Sequence, residues 1–253
     1  MIDRSVFAAF ADAEDSHWWF AARRQIVRRI ADAVTAERPR RFVVDIGCGV
    51  GSTLAAFHPD YSCIGYDPSP DAIEFARTRH PAFDLRQGTA ADAVCALGDV
   101  DVVLLNDVIE HVPDDRALLG AVVERMRRGA TLLVTVPAEM ALWSPHDEKM
   151  GHYRRYDTAM LEKAVSGLPV RRVFLSPFMS RLYPIVRAVR AISRLTGRAA
   201  GVSGIDLSTP PRFANAILRN IFAGEIHRLL AVLDGTALPY SHGVSLIGAY
   251  HRT

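Results

Sequence analysis

At 253 residues with 49% hydrophobic content, the chain is long enough for one full α/β core and an added segment. A net charge of +2 with no Lys/Arg-rich block argues against a nucleic-acid partner, and no apolar run approaches the ~20 residues needed to span a bilayer. Cys48, Cys63 and Cys95 form no C-x-x-C pair and read as small buried residues in a reducing compartment. Met1-Ile2-Asp3-Arg4 lacks a basic-then-apolar signal, so the expectation is a cytoplasmic protein. Lys149 and Lys163 are the only lysines. The remaining positive charge is Arg, which suits phosphate and carboxylate recognition or reflects coding composition.

Residues 1–37 read as two helices, the second capped by Asp15 or Ser16 and running through Trp18, Phe20, Ile26, Val27 and Ile30. Arg38-Pro39-Arg40 closes the segment. His17-Trp18-Trp19-Phe20 cannot place all its aromatics on one helix face, because neighbours differ by about 100°. Some of them meet something other than the main core, or the tryptophans pack on the sheet edge.

Phe42 to Ile46 is a short buried strand, and Ser52 to Phe57 opens a helix within a predicted span 51–57. Between them lies Asp45-Ile46-Gly47-Cys48-Gly49-Val50-Gly51. The three glycines permit φ > 0 and a close approach of the backbone to a ligand. Strand, glycine turn and helix N-terminus together form a nucleotide-cofactor site. A second strand, 62–67, ends at Asp67, where a doubly wound fold places the carboxylate that binds ribose hydroxyls. The competing reading of Asp67 is a turn or cap residue before Pro68-Ser69-Pro70.

This pattern departs from the dinucleotide fingerprint G-x-G-x-x-G and resembles class I S-adenosylmethionine-dependent methyltransferases over roughly residues 40–137. An acid before the first glycine would repel a pyrophosphate and suits the cationic amino group of a methionyl moiety. The resemblance implies an α/β fold: a doubly wound, mostly parallel seven-stranded Rossmann-like sheet whose last strand enters antiparallel. It implies S-adenosyl-L-methionine as cofactor and S-adenosyl-L-homocysteine as product. It also implies that residues 1–37 form a helical lid in which Trp19 and Arg23 or Arg24 meet the cofactor, Arg pairing with the methionyl carboxylate. Cofactor contacts are then expected from Asp45, Gly47, Cys48, Gly49, Gly51, Asp67 and Pro68.

Alternation continues with helix 70–79, strand 82–87, strand 101–106, helix 114–126 and strand 130–136, which gives a parallel sheet with right-handed crossovers. The turn Gly88-Thr89-Ala90 would sit against the adenine, by the resemblance, through backbone groups; Asp92 comes later than the usual acid. Val102 to Leu105 is a buried strand, so Asn106 and Asp107 emerge on the ligand edge, with His111 further round facing the transferring methyl. His111 alternatively holds a backbone carbonyl at a helix start.

The loop 138–156 gathers His146, His152, Tyr153, Arg154, Arg155 and Tyr156 on that same edge. His111, His146 and His152 are the candidate bases for the acceptor's proton, and Tyr153, Arg154, Arg155 and Tyr156 the candidate acceptor contacts. The alternative is an ordered cover held by Arg–carboxylate pairs. Gly151-His152-Tyr153-Arg154-Arg155-Tyr156 resembles a branch of methyltransferases found among glycan and natural-product pathways. His146, Asp147, Glu148 and His152 have a spacing that could hold a metal, but no third carboxylate joins them and no metal is expected.

A helix at 157–166 and a strand at 169–175 follow, then about 65 residues before the last strand, Val244 to Tyr250. This stretch reads as helix 178–196, a loop 197–212 and helix 213–234, forming an acceptor-side insertion at about 177–242 within a domain spanning 38–253. Helix 178–196 has Leu182, Ile185, Val186, Val189, Ile192 and Leu195 on one face and Arg181, Arg187, Arg190 and Arg194 around the rest. It is a packed helix with a solvated face, a peripheral membrane or lipid-linked acceptor contact, or a homodimer contact. The leading expectation is methyl transfer to a small-molecule oxygen nucleophile on a natural product, glycan or lipid-linked intermediate. A non-catalytic S-adenosylmethionine-binding protein and a nucleotide-dependent oxidoreductase stay open as alternatives.

Overall fold

The computed structural model describes residues 4–35, 41–196 and 209–253; Arg38-Pro39-Arg40 and most of the expected loop 197–212 lie outside them. Two helices, α1 (Arg4–Glu14) and α2 (Trp18–Val34), lead into a βα series. The strands are β1 (Arg41–Ile46), β2 (Tyr61–Asp67), β3 (Asp84–Gln87), β4 (Val102–Asn106), β5 (Thr131–Pro137), β6 (Val170–Phe178) and β7 (Ser245–Arg252). Between them stand α3 (Ser52–Ala55), α4 (Pro70–Arg79), α5 (Ala90–Ala93), α6 (Asp115–Arg125), α7 (Pro145–Met150) and α8 (Thr158–Val165). Helices α9 (Tyr183–Thr196), α10 (Arg212–Ala223) and α11 (Ile226–Leu233) precede β7.

Among the described residues the strands form one seven-stranded sheet in the order β3-β2-β1-β4-β5-β7-β6. β1 to β5 pair in parallel and β7 runs antiparallel between β5 and β6, as expected. Alternate residues feed two cores, the period-two consequence of a strand buried on both faces. Val102 and Leu104 join α2, α4, α10 and α11 on one side, while Val103 and Leu105 join α6 and α8 on the other. Strand order reverses between β1 and β4, so the crevice beyond their carboxyl ends is where a doubly wound sheet takes a ligand.

Several expectations need correction. α2 is capped by His17, whose Nδ1 accepts from the Trp19 amide at 3.3 Å, not by Asp15 or Ser16. Asp15 is drawn off to Arg79, and the Ser16 carbonyl accepts from Asn215 at 2.8 Å. The expected turn at 88–90 and the expected loop 138–156 contain the short helices α5 and α7, each starting with a capping box, Thr89 with Asp92 and Ser144 with Asp147. β6 runs on to Phe178, so α9 begins at Tyr183 and not at 178. The single helix expected over 213–234 is broken at Gly224, because Glu225 turns inward and accepts the Arg181 amide at 2.7 Å. Cys48 is buried, but Cys95 is exposed. No helix among the described residues is long and apolar enough to cross a membrane.

Candidate active site

The glycine loop leaves β1 with its amides committed to the protein. Gly47 and Cys48 donate to the Tyr66 carbonyl at 2.7 and 2.9 Å, Gly51 to the Cys48 carbonyl at 2.9 Å, and Gly49 to Asp67 Oδ2 at 2.9 Å. Such a loop has few donors left for a phosphate, in contrast to a phosphate-cradling loop. All three glycines have positive φ. A Cβ on Gly47 would lie 2.6 Å from Val108, whereas one on Gly49 would meet nothing within 4 Å, so Gly49 borders open space. The Cys48 side chain points into the core, which leaves only its backbone to the site.

Asp67 accepts the amides of Gly49 and Ser69 on separate oxygens, both at 2.9 Å. It does the work of a turn residue, yet each oxygen keeps a further acceptor site. Ser69, not Asp67, caps α4, and Pro68 beside it is exposed. Burial raises the Asp67 carboxyl above its ordinary value, against the pull of those two amides. At the next turn the Thr89 amide is spent on Asp92 at 2.7 Å. A Cβ on Gly88 would crowd Asp92 and Tyr66.

Asp45 is 1% exposed, and its Oδ1 has no hydrogen-bond partner. Burial pushes its carboxyl up to about 8, opposed by Asn106 and reinforced by the charge of Asp67. Asn106 lies at the end of β4 and accepts from Thr135 at 3.2 Å. Asp107 follows at φ 54, a backbone conformation uncommon outside glycine and typical of sites that hold strain. Arg23 reaches across from α2 to pair with Asp107 at 2.5 Å, donates to the Thr135 hydroxyl and lies 5.0 Å over the Trp19 ring. Its buried Nε has no hydrogen-bond partner. Arg24 faces elsewhere and donates to the Glu14 carbonyl. α1 covers this edge by burying Phe7 and Ala11 against Val50 and Ala72. α2 is built into the core through Ile26 and Ile30, both 0% exposed.

The three histidines converge. His111 and His152 stand 4.6 Å apart between ring centroids at 81°, with His146 6.2 Å from His152. His152 Nδ1 faces Asp147 Oδ1 at 3.0 Å, and Arg155 Nε donates to the same oxygen at 2.8 Å. Burial alone would raise the Asp147 carboxyl, but His152 and Arg155 hold it well below the usual carboxylate range. Burial and the neighbouring His152 push His111 down to about 4, so its ring is neutral at physiological pH. Burial lowers His146 in the same direction.

The Arg-Arg-Tyr run is used differently from the acceptor role expected of it. Arg155 is buried between Asp147 and the Ala138 carbonyl, and Tyr156, 1% exposed, donates to Asp115 at 2.8 Å. Arg154 pairs with Asp115 at 3.0 Å and donates to the Pro113 carbonyl at 2.7 Å. These side chains tie the loop to α7 and to the start of α6, and Tyr153, just before the run, is left exposed. Sequence reading gave no role to Glu110, Thr135 or Glu139. Glu110 is 0% exposed with both carboxylate oxygens unpartnered. Glu139, at φ 58, accepts from Tyr183 at 2.5 Å and faces His242 at 2.9 Å. The one signal for Glu110 in the sequence was its place beside His111, just past the strand end.

Comparison with known proteins bears on the family and the fold. The chain is 28% identical over 158 residues to trans-aconitate 2-methyltransferase of Deinococcus radiodurans, covering 57% of this chain and 60% of that one. It is 27% identical over 178 residues to ajmaline N-methyltransferase of Rauvolfia serpentina, covering 64% and 60%. The chain spans 60% or less of the length of the first four curated relatives it matches. Among solved structures, geranyl diphosphate methyltransferase in complex with SAM superposes with a TM-score of 0.61 at 14% identity, covering 92% of this chain and 85% of that one. A SAM-dependent methyltransferase from Archaeoglobus fulgidus superposes at 0.56 and 17% identity, covering 96% and 97%. At these identities the superpositions bear on fold alone. A family model described as a methyltransferase domain matches residues 18–166, more than half of the sequence and the whole span from the first tryptophan to the end of α8, so the chain belongs to the methyltransferase domain family.

Proposed function

We propose that the chain is an S-adenosylmethionine-dependent methyltransferase acting on an oxygen nucleophile of a small-molecule acceptor. The observation that carries this reading is Asp45: a buried carboxylate with an orphaned oxygen, beside a glycine that opens on free space at the switch point of the sheet. Asp45 is placed to take a cationic amino group and Asp67 a ribose diol, while the saturated amides of the glycine loop suit a cofactor without phosphate. Arg23 with Trp19 holds the methionyl carboxylate, Asn106 and Asp107 line the middle, and Gly88 to Ala90 border the adenine. When bound, the cofactor supplies a methyl group already activated by its sulfonium, so the protein mainly aligns the acceptor and excludes water. Tyr153 is the exposed acceptor contact. Calorimetric titration is expected to show binding of S-adenosylhomocysteine and none of NAD; the reverse would make the chain an oxidoreductase.

Arg23→Ala is expected to weaken S-adenosylhomocysteine by roughly tenfold to a hundredfold, the scale of about 1.5–3 kcal/mol for a charged hydrogen bond. An unchanged Kd in a variant of normal circular dichroism would reduce Arg23 to a clasp on Asp107.

The acceptor's proton leaves through the histidine cluster. A general base contributes about 10²–10⁴-fold to rate, so His152→Ala is expected to lose turnover on that scale, with His111→Ala and His146→Ala as comparisons, while binding S-adenosylhomocysteine normally. Single-turnover methyl transfer at near-full rate in all three variants would leave alignment as the whole mechanism.

Helix α9 supports an acceptor with an apolar chain. Val186 packs inward, but Ile185 is 61% and Ile192 59% exposed, on a helix that also carries Arg187 and Arg194. A basic, apolar surface of this kind suits a lipid-linked or membrane-presented acceptor.

A further inference from the structure

Glu110, His111 and His152 bring a carboxylate oxygen and two ring nitrogens within 4.8 Å of one another. We propose that these three side chains bind a divalent transition-metal ion of the zinc type, leaving one coordination position open to the acceptor's oxygen.

Glu110 is the first reason. It is 0% exposed and both of its oxygens lack a hydrogen-bond partner. A carboxylate buried without donors is expensive, and an adjoining cation is the ordinary way to offset that. The second reason is the outer arrangement of the His152 ring. Asp147 engages His152 at Nδ1 (3.0 Å), which leaves Nε2 to present its lone pair. Asp147 is itself fixed by Arg155 at 2.8 Å and by the Ser144 amide at 2.9 Å. Ligating histidines are held by carboxylates or carbonyls in this way. The His111 ring meets the His152 ring edge to face, with centroids 4.6 Å apart at 81°.

Donor type decides the ion. Two imidazoles and one carboxylate suit Zn²⁺ and its first-row neighbours, whereas Mg²⁺ and Ca²⁺ prefer oxygen ligands throughout. Three protein ligands with an open fourth position is the arrangement of catalytic zinc sites. Ligands about 2.1 Å from a tetrahedral ion stand roughly 3.4 Å apart, so the trio closes by side-chain rotation when the ion enters.

The metal set weighed from sequence, His146 to His152, is not this one. Asp147 serves behind His152, and Glu148 faces the Trp143 indole at 3.4 Å; the missing carboxylate comes from Glu110, across the fold. Only the ion's use in catalysis rests on the methyltransferase reading. In that use the ion would hold and acidify the acceptor hydroxyl and His146, outside the ligand trio, would take the proton, so that the loss of turnover expected of His152→Ala would report loss of the ion and not of a free base.

The test uses the full chain, freed of metal by a chelator and titrated with ZnCl₂ by calorimetry and with CoCl₂ by visible absorption. One equivalent of each is expected to bind, Co²⁺ giving tetrahedral ligand-field bands and MgCl₂ no saturable heat. Glu110→Gln and His152→Ala should each weaken Zn²⁺ at least tenfold while retaining S-adenosylhomocysteine binding, and His242→Ala on the surface should change nothing. Lack of one-equivalent binding, or wild-type affinity in both ligand variants, overturns the proposal. Zinc binding without S-adenosylhomocysteine binding would instead keep the metal site and sink the methyltransferase reading.

Discussion

Gly49→Val is expected to abolish S-adenosylhomocysteine binding in a protein that still folds. Gly49 sits at φ 55, in the left-handed region, and a Cβ built there meets no atom within 4 Å. The folding penalty is therefore the left-handed strain, on the order of 1–2 kcal/mol, without an added clash. The space that the side chain enters adjoins a residue whose amide is held by Asp67 at 2.9 Å, and in the proposed reading it is the cofactor's path. Gly47→Ala separates the two effects. Its Cβ would lie 2.6 Å from Val108, so it should destabilise the fold more than Gly49→Ala. Thermal unfolding and calorimetry on both alanine variants, together with Gly49→Val, check the contrast. Normal S-adenosylhomocysteine affinity in Gly49→Val would move the cofactor off this loop. Asp67→Ala tests the same wall from the other side. Losing a charged acceptor should weaken binding by about 1.5–3 kcal/mol, and freeing the Gly49 amide should loosen the loop.

How much of this was legible follows from how locally each feature is encoded. The strand–glycine–helix turn and the acid at the end of β2 are written in contiguous residues, and alternation of strands and helices fixes a parallel sheet with few alternatives. The site's polar chemistry is not local in that sense. Glu110 and His152 are 42 positions apart in the chain and are brought together across the fold, where Tyr153 donates its amide to the Glu110 carbonyl at 2.8 Å. Arg154 to Tyr156 invited an acceptor role because they follow a ligand-edge strand, but their partners Asp115, Asp147 and the Ala138 carbonyl were invisible from the loop itself. The break at Gly224 was equally hidden, since it answers the amides of the turn after β6 and not any signal in helix 213–234.

Asp45→Asn is expected to uncouple cofactor affinity from pH. The Asp45 carboxyl is raised from an ordinary 3.8 to about 8, chiefly by burial. An acid raised in the folded state keeps its proton while the unfolded chain loses it. Its contribution is fully present below about pH 4 and is lost as pH rises towards 8. The wild type should thus lose stability from about pH 4 to pH 8, with a slope of at most ~1.4 kcal/mol per pH unit from this group, and Asn should remove that slope. At pH 8 the variant should melt higher than the wild type; at pH 5 the gap should narrow. Cofactor binding has the opposite sense. A cationic amino group needs the ionised carboxylate, so binding below pH 8 expels a proton and tightens as pH rises. Asn cannot ionise, so its affinity should be flat with pH and weaker at pH 8 by about 1.5–3 kcal/mol. Titrations in buffers of different ionisation enthalpy read the released proton directly. Equal proton release and an equal pH slope in the variant would take Asp45 out of the amino-group site.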